Sequence, residues 1–147
     1  MLMQFAVPVF VFPLTAAQLD KSLNDVNRFA FKVVDCKSKN TIGHAEIYLP
    51  DTAAYFGRIL VGDKAKRGKG IGEQIVHLLI AHTFSTVDKT IIELNVFDWN
   101  TAAIKCYENA GFTINSGKTL ERKIEGQTWI ALNMSLAKQK WKLQKRL

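Results

Sequence analysis

Alternating apolar and polar residues predict short β-strands in the first part of this chain, at residues 4–12, 29–35, 42–49 and 55–61. The third of these places two sets of side chains on opposite faces: Ala45, Ile47 and Leu49 against His44, Glu46 and Tyr48. The polar run CKSKNT joins the second and third strands, which predicts a hairpin.

Apolar residues three or four positions apart predict helices at residues 14–26 and 71–84, with Thr15 as a candidate cap of the first. The apolar stripe of the second helix consists of Ile71, Ile75, Leu78, Leu79 and His82.

The rest of the chain alternates between the two patterns. Residues 90–97 predict a strand, and a helix begins at Asn100 and ends before Gly111. Residues 112–115 and 129–136 complete the predicted sheet, with a polar loop between them that contains Gly117 and Gly126.

Composition indicates one α/β domain. With 147 residues and 48% apolar content the chain can form a core, so we expect a single domain over residues 1–147. Its apolar start contains Pro8 and Pro13 and lacks a basic segment, which disfavours a signal peptide. No stretch reaches the ~18 apolar residues of a membrane span. Cys36 and Cys106 have neither metal nor redox spacing, and we expect a cytoplasmic protein.

The formal charge of +7 is concentrated in two clusters. They consist of Lys64, Lys66, Arg67 and Lys69, and of Lys138, Lys140, Lys142, Lys145 and Arg146. Of the 20 basic residues these nine leave eleven against 13 acidic ones, a net charge of −2, which makes a nucleic-acid partner unlikely for the body of the protein. The second cluster is a C-terminal tail, which we expect to be solvated.

The first cluster coincides with a glycine-rich segment, RGKGIG, between a predicted strand and a predicted helix. Glycines there let a phosphate approach the backbone N–H groups at the positive end of the helix. The segment is not a Walker A loop, because Ile71 follows Gly70, and not a Rossmann fingerprint, because position 73 is Glu73. It predicts a pyrophosphate site, with an empty tight turn as the alternative.

Two motifs resemble those of the GNAT superfamily of N-acetyltransferases. Arg67-x-x-Gly70-x-Gly72 resembles the family's pyrophosphate loop. The second motif resembles the family's fifth strand and following helix: Leu94-x-Val96-x-x-x-Asn100-x-x-Ala103-x-x-x-Tyr107-x-x-x-Gly111-Phe112. The resemblance covers residues 40–136 and is similar to the branch that includes ribosomal-protein N-terminal and diamine acetyltransferases.

This resemblance implies an α/β fold with helices on both faces of a mixed central sheet. The sheet would be splayed between its fourth and fifth strands, residues 55–61 and 90–97, with the pantetheine arm of acetyl-CoA in the gap and no metal. A backbone N–H of the fourth strand would stabilise the oxyanion. The implied binding residues are Leu60, Val61, Lys66, Arg67, Gly68, Lys69, Gly70, Ile71, Gly72, Asn95, Asn100 and Tyr107.

Tyr107 occupies the family position of the general acid that protonates the departing thiolate. The alternative is an ordinary core tyrosine that packs on Ala103 and Phe112. Asn100 likewise has a local explanation as a helix cap.

The general base is open. Glu46 is the first candidate, on the polar face of its strand beside His44, and Glu93 is the second, on the strand that lines the cleft. The family's frequent glutamate at the start of the fourth strand has no match, because residues 51–54 read DTAA. Glu46 could equally be a surface carboxylate on an edge strand.

We therefore expect direct transfer of an acetyl group from acetyl-CoA to a primary amine, either a peptide N-terminus or a small amine. Cys106 has no adjacent His and reads as a small buried hydrophobe, which argues against an acetyl-enzyme. The alternatives are a CoA-binding or partner-interaction module without catalysis, and a nucleic-acid binder that uses residues 138–146 with Trp141. A homodimer is open, since members of the family often dimerise.

Overall fold

The computed structural model describes residues 26–62 and 70–146. The elements follow in the order β1 (Arg28–Val34), β2 (Thr41–Tyr48), β3 (Ala54–Val61), α1 (Ile71–Thr86), β4 (Ile91–Phe97), α2 (Thr101–Asn109), β5 (Thr113–Ile124), β6 (Gln127–Ala137) and α3 (Lys138–Lys145). The predicted strands and helices between residues 29 and 111 are confirmed. The predicted strand at residues 4–12, nearly all of the predicted helix at 14–26 and the first basic cluster lie outside the described residues.

The described strands form one mixed sheet in the order β1-β2-β3-β4-β6-β5. β1 and β2 are the predicted hairpin. β3 and β4 run parallel and are connected by α1, whereas the other neighbours pair antiparallel. The mixed central sheet expected from the sequence is confirmed.

The main core lies on one face of this sheet. Ala45 and Ile47 of β2 are buried there with Phe56, Leu94 and Met134 from the next three strands. The three described helices pack on this same face through apolar residues of α1, α2 and α3. The expectation of helices on both faces therefore depends on residues outside the described ranges.

The predicted stripe of α1 is wrong at two positions. Leu78 and His82 are exposed, whereas Val76, Ile80 and Phe84 are buried. The buried face of α1 is wider than the predicted apolar stripe, because the helix packs against both the sheet and α2.

The predicted polar loop between residues 116 and 128 is also wrong. β5 and β6 are long strands joined by the two-residue turn Glu125-Gly126, in which both residues have positive φ, 50° and 78°. β5 is an edge strand and is mostly exposed, so its sequence lacks the apolar alternation by which strands are recognised.

The C-terminal tail is not simply solvated. It forms α3, and the Trp141 ring lies 5.2 Å from the Phe84 ring of α1. Lys140 Nζ donates to the Gly111 carbonyl at 2.7 Å, and Lys145 Nζ lies 4.5 Å from the centre of the Trp141 ring. The contact of Trp141 with Phe84 thus packs α3 against the core, although the composition of this segment predicted a solvated tail. Among the described helices, none has both the length and the hydropathy to cross a membrane.

Candidate functional site

A β-bulge interrupts β3 halfway along its pairing with β2. His44 is opposite Leu60 and Glu46 is opposite Gly57, so two residues of β3, Arg58 and Ile59, face the single residue Ala45. Arg58 has a φ of 49°, which is unusual for a residue with a side chain. Bulges bend a strand and redirect its side chains, and here Arg58 is directed onto the polar face.

β3 and β4 pair in parallel over three positions, from Ala54 and Ile92 to Phe56 and Leu94. β3 continues to Val61 and β4 to Phe97. The bulge at Arg58 lies just beyond the last of these pairs. This is the place where the sequence analysis expected the sheet to splay, and the splay itself stays a prediction.

Glu46 lies at the centre of a buried charged cluster on the polar face of the sheet. Its Oε2 atom accepts from Arg28 at 3.1 Å and from Arg58 at 2.5 Å. Its Oε1 atom lies 3.0 Å from His44 Nε2. Glu46 is only 4% exposed, and β2 lies between two other strands. The reading of Glu46 as a surface carboxylate on an edge strand is therefore wrong.

Glu93, the second candidate base, lies on the same face but has different neighbours. Tyr55 donates to its Oε2 at 2.9 Å, and Lys118 Nζ lies 2.5 Å from its Oε1. Its side chain is 12% exposed and that of Lys118 is 58% exposed, so this pair is open to solvent on one side. Tyr55 and Glu93 are register partners in the short parallel pairing.

These contacts shift the pKa values of Glu93, Tyr55 and Lys118. Burial alone would raise the pKa of the Glu93 carboxyl, but the hydrogen bonds from Lys118 and Tyr55 outweigh it, and the pKa lies below its ordinary value. The pKa of Tyr55 is raised by burial and by its hydrogen bond to Glu93. The pKa of Lys118 is raised by its hydrogen bond to Glu93. At neutral pH the site is a carboxylate held between a phenol and an ammonium.

Lys118 reaches Glu93 across an intervening strand. β5 pairs with β6, and β6 pairs with β4, so β5 is not next to β4. Between the pairs Ile114–Met134 and Thr119–Leu132, β6 has one residue and β5 has four. Gly117 in this irregular stretch has a φ of 78°. The extra backbone carries Lys118 over the polar face.

A network of side-chain amides continues this face beside Glu93. Asn133 Nδ2 donates to Asn95 Oδ1 at 3.1 Å and lies 3.3 Å from the Leu94 carbonyl. Asn115 donates to Asn133 at 2.6 Å. Asn95, which the sequence assigned to the cofactor, thus lies in a partly buried polar network on the face opposite the helices.

Tyr107 lies on the other side of the sheet, among the helices. Its ring packs on Phe112 at 5.9 Å, edge to face, as the core interpretation expected. Burial raises the pKa of its hydroxyl, so it stays protonated at neutral pH and remains available as a proton donor. Asn100 caps α2 by accepting from the Ala103 N–H at 3.3 Å, which confirms its structural role.

The start of α1 fits a diphosphate. Gly70 is the N-cap in the left-handed conformation, with a φ of 75° and no side-chain cap bond. Among the atoms of residues 26–62 and 70–146, none lies within 4 Å of a Cβ built at Gly70 or at Gly72. Ile71, Leu60 and Val61 are placed near this end, on α1 and at the end of β3. Lys66, Arg67, Gly68 and Lys69 lie outside the described residues.

Comparison with known families decides the class of this site. The model of a family described as the Acetyltransferase (GNAT) family matches residues 3–112, well over half of the chain. The chain belongs to this family. The activity of this GNAT protein is acetyl-CoA-dependent N-acetylation of an amine, as the two sequence motifs predicted.

Solved structures agree with this fold. A spermidine N-acetyltransferase from Vibrio cholerae in complex with CoA and spermine matches with a TM-score of 0.75 and 23% identity, over 95% of this chain and 84% of that one. Mutant forms of a spermidine/spermine N-acetyltransferase from Vibrio cholerae match with a TM-score of 0.74 and 23% identity, over 93% and 87%. At such identity the likeness establishes the GNAT fold.

The sequence analysis missed four partners of the two glutamates, namely Arg28, Tyr55, Arg58 and Lys118. Arg28 lies just before the predicted strand 29–35, Tyr55 and Arg58 belong to the predicted strand 55–61, and Lys118 comes from the segment predicted as a loop. The arginine in an otherwise apolar strand was the one available signal for a charged partner of Glu46. Groups of His, Cys, Asp and Glu able to hold a metal are absent from the described part of the chain.

Proposed function

We propose that this GNAT protein transfers the acetyl group directly to a primary alkylamine, with Glu93 on the acceptor side of the sheet and Tyr107 on the thiol side. The opposite placement of these two residues carries the proposal. Glu93 faces the polar side of the sheet, and Tyr107 packs among the helices on the other side. Parting of β3 and β4 beyond Phe56 and Leu94 would connect the two sides.

Acetyl-CoA supplies an activated thioester. Residues at the end of β3 and the start of α1, namely Leu60, Val61, Gly70, Ile71 and Gly72, would hold it, together with Asn95, Asn100 and the loop residues Lys66, Arg67, Gly68 and Lys69. The glycine N-cap of α1, which places no side chain over the first turn of the helix, supports this assignment.

Glu93 binds the acceptor as an ammonium, because a glutamate carboxyl is ionised at neutral pH and the pKa of this one is lowered further. The amine must lose a proton before it attacks the carbonyl carbon, and Glu93 receives that proton directly or through water. Tyr107 then gives its hydroxyl proton to the sulfur as the carbon–sulfur bond breaks. The second proton, which the nitrogen loses as it becomes an amide, returns to the Tyr107 phenolate through water and restores the hydroxyl. Glu46 is not the base in this scheme, because Arg28 and Arg58 already occupy its carboxylate.

Direct transfer fits the state of the cysteines. Cys106 packs against the core, and burial raises the pKa of its thiol, which disfavours the thiolate that an acetyl-enzyme needs. Cys36 and Cys106 are both free thiols, which supports a cytoplasmic location. We also propose that residues 1–147 form one domain, because the main core joins every described helix to the sheet. A homodimer stays a prediction.

The solved neighbours are named for spermidine, but a monoamine fits the described residues better. A polyamine carries several positive charges and needs several accessible carboxylates. On this face Glu46 is neutralised by two arginines, which leaves Glu93 as the carboxylate that borders solvent. Among residues 26–62 and 70–146, this face therefore offers one accessible carboxylate to a cationic acceptor.

The substitution Tyr107→Phe tests the proposal. It keeps the ring on Phe112 and removes the hydroxyl, so we expect kcat to fall about 10²-fold while the affinity for CoA and the melting temperature stay as in the wild type. The measurement is release of free CoA with n-butylamine as acceptor. Tyr48→Phe, which removes a hydroxyl from β2, is the matched control. Equal kcat values for Tyr107→Phe and the wild type would make Tyr107 a core residue only.

A second outcome would favour the alternative function. If the wild type binds CoA in calorimetry but releases none with n-butylamine, spermidine or a peptide N-terminus as acceptor, the chain is a CoA-binding module on the same fold.

A further inference from the structure

Lys118 places a primary ammonium on the carboxylate that we assign to the acceptor. Its Nζ lies 2.5 Å from Glu93 Oε1, while Tyr55 donates to Oε2 at 2.9 Å. Beyond its Cα, a lysine side chain is n-butylammonium. The Lys118 side chain therefore has the chemical structure of a simple alkylammonium acceptor, and it is attached to β5.

The position of this ammonium matches the place of reaction. Tyr55 and Glu93 form the middle one of the three parallel pairs between β3 and β4, and Phe56 and Leu94 form the last. A cation on Glu93 thus lies on the polar face, beside the point where the two strands stop pairing. Tyr107 lies on the opposite face, where a leaving thiol would be protonated.

The ion pair between Lys118 and Glu93 can be displaced by an external cation. The Lys118 side chain is 58% exposed, and it comes from the irregular stretch in which β5 has four residues against one of β6. Exposed ion pairs of this kind contribute about 0.2–1 kcal/mol. An external ammonium at moderate concentration can displace such a partner.

We propose that the Lys118 ammonium occupies the acceptor-ammonium position on Glu93 and Tyr55, and that an acceptor amine must displace it. This inference rests on the proposed function of Glu93. Lys118 then acts as an internal competitor. It weakens the binding of every ammonium that must displace it by the same factor, so acceptors that bind at low concentration need further contacts.

The test is the affinity of the full-length protein for n-butylammonium chloride, followed by the carbon-13 resonance of the Glu93 carboxyl, which Glu93→Gln identifies. Removing the competitor in Lys118→Met should tighten binding about two- to sixfold, which is the factor that a 0.2–1 kcal/mol pair imposes. Lys123→Met, which removes an exposed lysine from the same strand, controls for the loss of one charge and should bind as the wild type does.

Equal or weaker binding by Lys118→Met would overturn the inference, and so would equal tightening by Lys118→Met and Lys123→Met. Both variants replace exposed side chains, so neither should unfold the protein. The proposed function fails separately: the titration can show displacement of Lys118 even if no amine is acetylated, and acetylation can proceed with identical affinities in all three proteins.

Discussion

At the scale of single residues, the two glutamates of the polar face differ in their neighbours and therefore in their roles. Glu46 is buried between two guanidinium groups and an imidazole, whereas Glu93 borders solvent and faces one exposed ammonium. A buried carboxylate with two arginine partners contributes to the stability of the fold. Its loss leaves the guanidinium groups of Arg28 and Arg58 largely buried and without their anionic partner.

The substitution Glu46→Gln should therefore act on stability rather than on chemistry. We expect the free energy of unfolding to fall by about 3 kcal/mol, because the buried guanidinium of Arg58 and the partly buried one of Arg28 lose their carboxylate. Urea unfolding measures this loss, and kcat well below the melting temperature should stay within about twofold of the wild type. Glu121→Gln, on the exposed strand β5, is the control. Unchanged stability together with lost turnover would identify Glu46 as the base.

At the scale of secondary-structure elements, the bulge in β3 and the irregular stretch of β5 both bring a basic side chain to a carboxylate on another strand. Arg58 reaches Glu46 of β2 and Lys118 reaches Glu93 of β4. Regular strands would send these side chains elsewhere, because alternation fixes the face on which each residue lies.

Two substitutions at Arg58 can separate the backbone cost of the bulge from the ion pair. Arg58→Ala and Arg58→Gly both remove the guanidinium, but only glycine adopts a φ of 49° without strain. We expect Arg58→Gly to be more stable than Arg58→Ala by about 1 kcal/mol in urea unfolding. Equal stabilities would mean that the bulge relaxes once the ion pair is gone.

At the scale of the whole molecule, the sheet separates an apolar face covered by helices from a polar face joined by ion pairs across strands. Tyr55, Glu93 and Lys118 come from three different strands, β3, β4 and β5. Their contacts contribute to the stability of the sheet as well as to the site. Because one member is a carboxyl whose pKa is lowered on folding, this contribution depends on pH.

The sign follows from the direction of the shift. The pKa of Glu93 in the folded protein lies below its ordinary value of 4.5, so its contribution is present above that value and is lost as the pH falls through the folded pKa. The wild type should exceed Glu93→Gln in free energy of unfolding at neutral pH, and the difference should narrow as the pH falls below 4.5. Urea unfolding at several pH values measures it. A difference that is constant with pH would contradict the assignment.

Local patterns predicted most of the core but not the polar contacts. The hairpin of β1 and β2, the parallel strands around α1 and the Asn100 cap each follow from spacing within one segment. The β5–β6 hairpin was missed because its turn is Glu125-Gly126 and its edge strand is polar on both faces. The docking of α3 was missed because it depends on Trp141 meeting Phe84, which lies far away in sequence.

The sequence by itself determined the family and the order of β1 to β6, because glycine spacing and the Asn100 to Gly111 helix are local properties of the chain. Only the tertiary structure distinguished the surroundings of the two glutamates, on which the proposed role of Glu93 rests. Those surroundings depend on Arg28, Arg58, Tyr55 and Lys118, which approach Glu46 and Glu93 from other strands, and strand pairing at a distance leaves no periodic trace in the sequence.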